Sequence, residues 1–277
     1  MKSSANLLSS LKSVFAAIVI PLEIVIAVLI YVYVLGNPEN FQGGDPANHP
    51  LPGNYLGVVY KGGFIVPILL SLLIMVLTFA VERFLTISRA KGKGNIKDFV
   101  SSIKHHLNLG NLYEALSICD KQKGSVANVV RAGLVKYEEM KDNFRVDQEK
   151  KILAIRKDIE ETTQLEMPML EKNLVIISTI ASIATLMGLL GTVMGMIKAF
   201  AALATAGAPD AVALANGISE ALINTALGIG TSALAIIFYN YFTTKIDAIT
   251  YAIDEAAYSI VQNFAATSNS EDQKITY

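Results

Sequence analysis

Residues 174–197, LVIISTIASIATLMGLLGTVMGMI, and residues 218–242, ISEALINTALGIGTSALAIIFYNYF, decide the fold of this chain. Each stretch is longer than the about 20 residues that a helix needs to cross the hydrocarbon core of a bilayer. Two further apolar runs occupy residues 14–35 and 64–81. Because an isolated strand in lipid leaves its backbone groups unpaired, all four runs are predicted to be transmembrane helices.

The composition agrees with a membrane protein and argues against several other classes. Of 277 residues, 52% are hydrophobic and 17% are charged, and the mean hydropathy is +0.45. The 23 Lys and Arg residues nearly balance the 24 Asp and Glu residues, so no basic field for nucleic acid is expected. One cysteine, Cys119, and three histidines form no disulfide and no predicted metal site. No catalytic residues and no cofactor are predicted, and the chain is not expected to be an enzyme.

The positive charges predict the orientation. Residues 83–172 hold 17 of the 23 Lys and Arg residues, whereas the connections 36–60 and 204–217 hold none. The positive-inside rule therefore places the long connection and both termini in the cytoplasm. The expected fold is an all-α membrane protein with four transmembrane helices and long cytoplasmic helical extensions.

The soluble part is predicted to be helical. Apolar residues recur at helical spacing over 96–107 and 112–119, on either side of Gly110 and Asn111, which predicts a helical hairpin. Another helix is expected over 124–137. A charged helix from about Val146 is expected to run into the third span.

The residues after the fourth span repeat at the spacing of a coiled-coil seam. These residues are Ile246, Ile249, Ile253, Ala256, Ile260 and Phe264. The seam has two open interpretations: packing on the charged helix of the same subunit, or a contact between subunits. Residues 269–277 lack this pattern and are predicted to be without regular structure.

These elements divide the chain into five expected segments. They are an N-terminal transmembrane helix with an outer loop (1–60), the second transmembrane helix (61–90), a cytoplasmic helical domain (91–172), a transmembrane helix pair (173–243), and a cytoplasmic extension with a tail (244–277).

The third and fourth spans each have one small or polar face and one bulky apolar face on a helical wheel. Glycines dominate the small face, and they predict close helix packing in lipid. They are Gly188, Gly191, Gly195 and Gly228. The polar residues on these faces are Thr192, Glu220, Asn224 and Thr225.

A carboxylate inside a span costs a few kcal/mol and usually faces a bundle interior or a watery path. Glu220 is therefore expected to face a pore, with a hydrated glutamate at the membrane interface as the alternative. Lys198 is expected to extend its ammonium group to the outer interface. Glu23, deeper in the first span, is expected to have a structural partner.

Two motifs resemble a known family. The segments 188–195, GLLGTVMG, and 218–228, ISEALINTALG, are similar to the paired signature of the ExbB/TolQ/MotA proton-channel family, on its ExbB/TolQ branch. The resemblance extends over about 64–264. Thr185 and Leu234 stand where that family commonly has proline, which puts a proline hinge in doubt.

The resemblance implies that the first helix is an addition and that the helix pair 173–243 lines a pore in a homopentamer. The pore is expected to hold the single spans of an ExbD/TolR-like partner that carries a transmembrane aspartate. Thr192, Thr225 and Glu220 match the family's pore residues, and Asn224 is expected to add a hydrogen-bonding group to the proton pathway.

The expected function is that of an ExbB-like proton-channel and motor subunit in the bacterial inner membrane. With its partner, and surrounded by membrane lipids, it is expected to energise an outer-membrane transport process through a TonB-like protein. A TolQ-like envelope-maintenance role, a gliding or flagellar stator motor, and a non-conducting scaffold remain alternatives. The sequence leaves open the cargo, the copy number of the partner and the role of the first span.

Overall fold

The computed structural model describes the backbone of residues 2–143, 145–204 and 210–275, and the side chains within 15–267 of those ranges. In chain order its helices are α1 (Lys2–Leu29), α2 (Tyr55–Tyr60), α3 (Val66–Ala90), α4 (Ile96–Asn108), α5 (Leu112–Gln122), α6 (Gly124–Lys141), α7 (Gln148–Glu171), α8 (Leu174–Leu203) and α9 (Ala211–Ile275). A π-helical turn, Ile30–Leu35, extends α1. The expectation of an all-helical fold is confirmed for the described residues.

Four helical stretches are long and apolar enough to cross a membrane, which confirms the predicted number of spans. They are Phe15–Leu35, Gly63–Ala90, Gln148–Leu203 and Ala211–Thr267, by length and composition. The last two stretches are longer than the apolar runs 174–197 and 218–242, because they also include helical segments that carry charged residues.

Two boundaries differ from the sequence prediction. The charged helix α7 does not run into the third span, because it ends at Glu171 and Asn173 adopts a left-handed conformation with φ of 66°. That residue interrupts the helical ladder, and α8 starts anew at Leu174. The predicted unstructured tail is also corrected, since α9 continues to Ile275; residues 276 and 277 lie outside the described part.

Contacts divide the chain into two compact units. The apolar unit comprises Met1–Val81 and Asn173–Tyr239, and the polar unit comprises Glu82–Lys172 and Asn240–Tyr277. Each unit contributes its own core. In the apolar unit α8 and α9 meet along buried small residues, described below.

The polar unit has a core of large apolar side chains from α4 to α7 and from α9. All six residues of the predicted seam on α9 are at most 4% exposed within this chain. Tyr137 on α6 packs edge-on against Phe264 with ring centroids 4.9 Å apart, and its hydroxyl donates to Asn263 Oδ1 at 3.0 Å. The structure thus supports the interpretation in which the seam packs inside its own subunit.

The connection after the first span, residues 36–62, is held together by hydrogen bonds. Asn40 is buried, and its amide donates to the carbonyls of Val34 (2.8 Å) and Leu35 (3.0 Å) at the end of the first span. Lys61 Nζ donates to the carbonyls of Pro46 and Ala47 at 2.9 and 3.0 Å. Partial burial lowers the pKa of Lys61, although Asp45 acts in the opposite direction. The two bonds from Asn40 satisfy carbonyls that the end of the first span leaves open.

Candidate functional site

Glycines allow α8 and α9 to approach at backbone distance. A Cβ atom added at Gly195 would lie 2.6 Å from the Ala221 nitrogen and 2.6 Å from the Gly217 carbonyl oxygen. One added at Gly228 would lie 2.6 Å from the Ala184 carbonyl oxygen. Added Cβ atoms at Gly188 and Gly191 would also crowd α9. We call this contact the small-residue seam; it is where the structure places the four glycines predicted for helix packing.

Two threonine hydroxyls meet across the seam. The hydroxyl of Thr192 on α8 contacts the hydroxyl of Thr225 on α9. Each hydroxyl also lies within hydrogen-bond distance of a carbonyl oxygen of its own helix, Gly188 O at 3.3 Å for Thr192 and Ala221 O at 3.1 Å for Thr225. Both side chains are partly exposed in the isolated chain. The pair therefore offers hydroxyl groups at the edge of the seam, where another helix can reach them.

An ion pair lies nearer the connection between α8 and α9. Lys198 Nζ donates to both carboxylate oxygens of Glu220, at 2.6 and 2.8 Å. The glutamate side chain is 10% exposed and that of Lys198 is 51% exposed. Because Glu220 precedes Thr225 by five residues, the ion pair lies about 7.5 Å along the axis from the threonine pair. The sequence interpretation missed this pairing and placed Lys198 at the interface alone.

The turn that leads into α3 completes the surroundings of Glu220. Gly63 has φ of +75°, and an added Cβ atom would lie 2.7 Å from Glu220 Oε1. A side chain here would be strained by the backbone and would displace the carboxylate. The turn thus closes one side of the Glu220 carboxylate, while Lys198 neutralises it from another.

Asn224 lies inside the packing of the apolar unit. Its side chain is fully buried, and its amide donates to the Gly62 carbonyl at 2.8 Å. Its Oδ1 atom is buried without a hydrogen-bond partner among the described residues, and the side chain lies where Gly191 leaves room. Asn224 was predicted in the proton pathway. In this structure it lies away from the chain surface and links α9 to the turn before α3. Its part in a proton pathway stays a prediction.

The predicted polar residues therefore lie in three places. Thr192 and Thr225 form one contact, and Glu220 forms another with Lys198. Asn224 is apart from both. Lys198 and Glu220 lie near the two ends of the short connection between α8 and α9. The sequence therefore indicated that the two side chains lie at a similar depth along their helices. The contribution of Gly62 and Gly63 had no sequence signal of its own.

Glu23 in the first span is also buried, at 3% exposure. The Thr78 hydroxyl on α3 forms a hydrogen bond with its carboxylate. Its Oε2 atom has no partner among the described residues. This contact agrees with a structural partner in a neighbouring helix, as the sequence led us to expect.

Arg83 begins the polar unit with a capping role that sequence reasoning did not identify. It is 2% exposed, and its Nη1 atom donates to the carbonyls of Met169 (3.2 Å) and Leu170 (3.1 Å) at the end of α7. Its Nε donates to Glu82 Oε2 at 2.6 Å. A guanidinium here satisfies the last carbonyls of α7 and complements the negative end of the helix.

The cysteine thiol of the chain lies outside the contacts described above. Cys119 is 2% exposed, and burial raises the pKa of its thiol to about 12, so the nucleophilic thiolate does not form at neutral pH. Among the residues that the structure describes, no three His, Cys, Asp or Glu side chains come together as metal ligands.

Comparison with known proteins identifies a family match in the C-terminal part of the chain. The model of the MotA/TolQ/ExbB proton channel family matches residues 122–255, a shorter range than the 64–264 expected from the motifs. This range includes the small-residue seam, the threonine pair and the ion pair.

Individual relatives are similar over parts of their length. The Tol-Pal system protein TolQ of Pseudomonas aeruginosa is 29% identical over 139 residues, 50% of this chain and 60% of that protein. The biopolymer transport protein ExbB of Salmonella typhimurium is 31% identical over 85 residues, 31% of this chain and 35% of that protein. A protein of Methanothermobacter thermautotrophicus described as an ExbB homologue is 26% identical over 195 residues, 70% and 65% of the two chains.

Each of these alignments spans less than two thirds of the relative's own length. The range matched by the family model, residues 122–255, carries both apolar helices that decide the fold. Over residues 122–255, the chain belongs to the MotA/TolQ/ExbB proton channel family.

Proposed function

We propose that this chain is a ring-forming subunit of a proton-driven motor in the bacterial inner membrane. In this proposal five copies surround the single membrane spans of an ExbD/TolR-like partner, with both termini and the polar unit in the cytoplasm. The work is delivered to an outer-membrane transport process through a TonB-like protein, or to a Tol-Pal system like the one named for the TolQ relative.

The contact between the Thr192 and Thr225 hydroxyls carries the proposal. A hydroxyl both donates and accepts hydrogen bonds, so the pair can join a chain of waters to a carboxylate on another helix. Both hydroxyls lie at an edge of the seam that is partly open in this chain.

The Lys198–Glu220 pair is proposed to form the outer mouth of this path. A carboxylate at membrane depth is costly unless it is paired, and the lysine provides that pair at 2.6 Å. Transfer of one proton across 100 mV releases about 2.3 kcal/mol. In the proposed mechanism protonation of the partner's aspartate removes its charge, which lowers the cost of moving past the apolar sides of the ring.

The test is proton flux in liposomes that contain the full chain with the single-span protein that co-purifies with it. A potassium gradient with valinomycin sets the membrane potential, and an internal pH-sensitive dye reports the flux. The double variant Thr192→Val/Thr225→Val is expected to assemble as the wild type does and to lose at least about tenfold in flux, since valine keeps the shape and removes both hydroxyls.

The matched control is Thr179→Val/Thr244→Val. These residues lie on the same two helices, are exposed, and donate to carbonyls of their own helix, so flux should stay at the wild-type level. Undiminished flux in the first double variant refutes the role of the threonine pair. Absence of flux with every partner composition identifies a non-conducting scaffold instead.

A further inference from the structure

A groove of about 830 Å³ lies within the polar unit, between the end of α3, α4 and the start of the polar part of α9. Its floor is apolar and consists of buried side chains. They are Ile87, Val100, Phe242, Ile249 and Ala252. The volume lies in the range of ligand-binding clefts.

Four exposed lysines stand at the edges of this groove. They are Lys91, Lys97, Lys104 and Lys245. None of them forms an ion pair within 4.0 Å with a carboxylate of the described residues, whereas Lys121, Lys136, Lys150 and Lys157 of the same unit all do. Lys245 lies over the Tyr241 ring, 5.4 Å from its centroid. The one carboxylate that lines the groove is that of Glu255, so the groove carries an excess of positive charge.

The groove begins where two helices leave their apolar runs. Phe84, at one end, follows the last residue of the predicted second span by three positions, or about 4.5 Å. Tyr241 belongs to the last turn of the fourth apolar run. Both aromatic rings are about half exposed, at 54% and 45%, and tyrosine is enriched at the level of lipid head groups. If the two apolar runs cross the bilayer as predicted, the groove opens at its edge.

We propose that this groove binds an anionic phospholipid. The lysines hold the phosphate-bearing head group, and one acyl chain lies along the apolar floor. A basic cleft beside membrane helices favours this class of ligand, and a soluble anion alone leaves the apolar floor without a partner. The proposal is independent of proton conduction, because it uses neither the small-residue seam nor the threonine pair.

The test is native mass spectrometry of the full chain in detergent, titrated with palmitoyl-oleoyl phosphatidylglycerol and, in parallel, with palmitoyl-oleoyl phosphatidylcholine. The wild type should bind one phosphatidylglycerol per subunit at least about tenfold more tightly than phosphatidylcholine, because each lysine near a head group contributes measurably. Glycerol 3-phosphate at the same concentration should not displace the lipid, since it lacks the acyl chains.

Two variants separate charge from shape. Replacing Lys91, Lys97, Lys104 and Lys245 with Gln should abolish the preference for phosphatidylglycerol. Ala248→Trp narrows the groove without changing its charge and should weaken the binding of phosphatidylglycerol about tenfold. The charge-matched control replaces Lys121, Lys141, Lys150 and Lys157, all exposed and outside the groove, with Gln and should bind as the wild type does.

Three outcomes overturn the proposal. Equal loss in the control means that the lipid responds only to the overall charge. Displacement by glycerol 3-phosphate identifies a soluble-anion site. If the groove variants change the number of subunits and leave lipid binding intact, the groove is a contact with an acidic surface of another copy.

Discussion

The two parts of α9 pack in different ways, although they belong to one helix. In the apolar unit its buried residues are small, polar or charged, namely Gly217, Glu220, Ala221, Asn224, Gly228, Thr231, Ser232 and Ala235. In the polar unit they are mostly large and apolar, namely Phe242, Ile246, Ile249, Ile253, Ile260 and Phe264. The change occurs within a few residues of Tyr239, where the apolar unit ends and the polar unit begins.

This difference follows from the solvent of each part. In water, burial of large apolar side chains drives helices together, at about 25 cal/mol for each Å² removed from water. In lipid this driving force is absent, since acyl chains are as apolar as leucine. Helices then associate through close backbone approach and hydrogen bonds, which need glycine, alanine, serine and threonine. The side chains that stabilise one part of α9 are therefore unsuited to the other.

The largest effect is expected in the polar unit. Ile253→Ala removes a side chain that is 1% exposed, and the loss of apolar burial together with the cavity should lower the free energy of unfolding of this unit by about 2–5 kcal/mol. Hydrogen exchange of the α6, α7 and α9 amides in the polar unit measures the change. Leu153→Ala is the control, since Leu153 is 64% exposed and its removal should cost less than about 0.5 kcal/mol. Equal effects of the two variants contradict a driving force from burial.

The sequence predicted the faces of α8 and α9 well, because a helical wheel depends only on residue spacing. It identified the glycines that now lie against the facing helix and the two threonines that meet. It also predicted the helical break at Gly110 and Asn111, which lies between α4 and α5.

The remaining features depend on three-dimensional placement. The capping of α7 by Arg83 joins residues 86 and 87 positions apart, and spacing along one helix cannot reveal it. Asn224 lies on the face of its helix that was predicted to line a pore. Its amide donates a hydrogen bond to the carbonyl of Gly62, which is 162 positions away. The end of α7 at Glu171 depends on a left-handed Asn173, a conformation that asparagine adopts in only some of its occurrences.

A smaller effect is expected for a methyl group in the small-residue seam. Gly195→Ala places a Cβ atom 2.6 Å from backbone atoms of α9, and backbone atoms cannot turn away as a side chain can. The helices must separate, at a cost of about 1–3 kcal/mol. Unfolding of the full chain in mixed micelles with increasing sodium dodecyl sulfate, followed by circular dichroism, measures the loss.

Gly230→Ala is the matched control for this change. The same methyl group at position 230 meets open space, and alanine is the better helix former by about 1 kcal/mol. The control should therefore be neutral or slightly stabilising. If Gly195→Ala is equally harmless, the seam is not closely packed and the comparison between the two parts of α9 loses its basis.

The smallest effect is expected for a hydrogen bond across the seam. Ser232 Oγ donates to the Ala181 carbonyl of α8 at 2.5 Å, and Ser232→Ala should cost about 0.6 kcal/mol, since hydrogen bonds between membrane helices have modest average values. Ser178→Ala is the control, because Ser178 donates at 3.0 Å to Val175 O of its own helix and joins no second helix. The same detergent titration resolves the difference between the two variants. A larger loss for Ser178→Ala would mean that hydrogen bonds within a helix, rather than those between helices, stabilise the apolar unit.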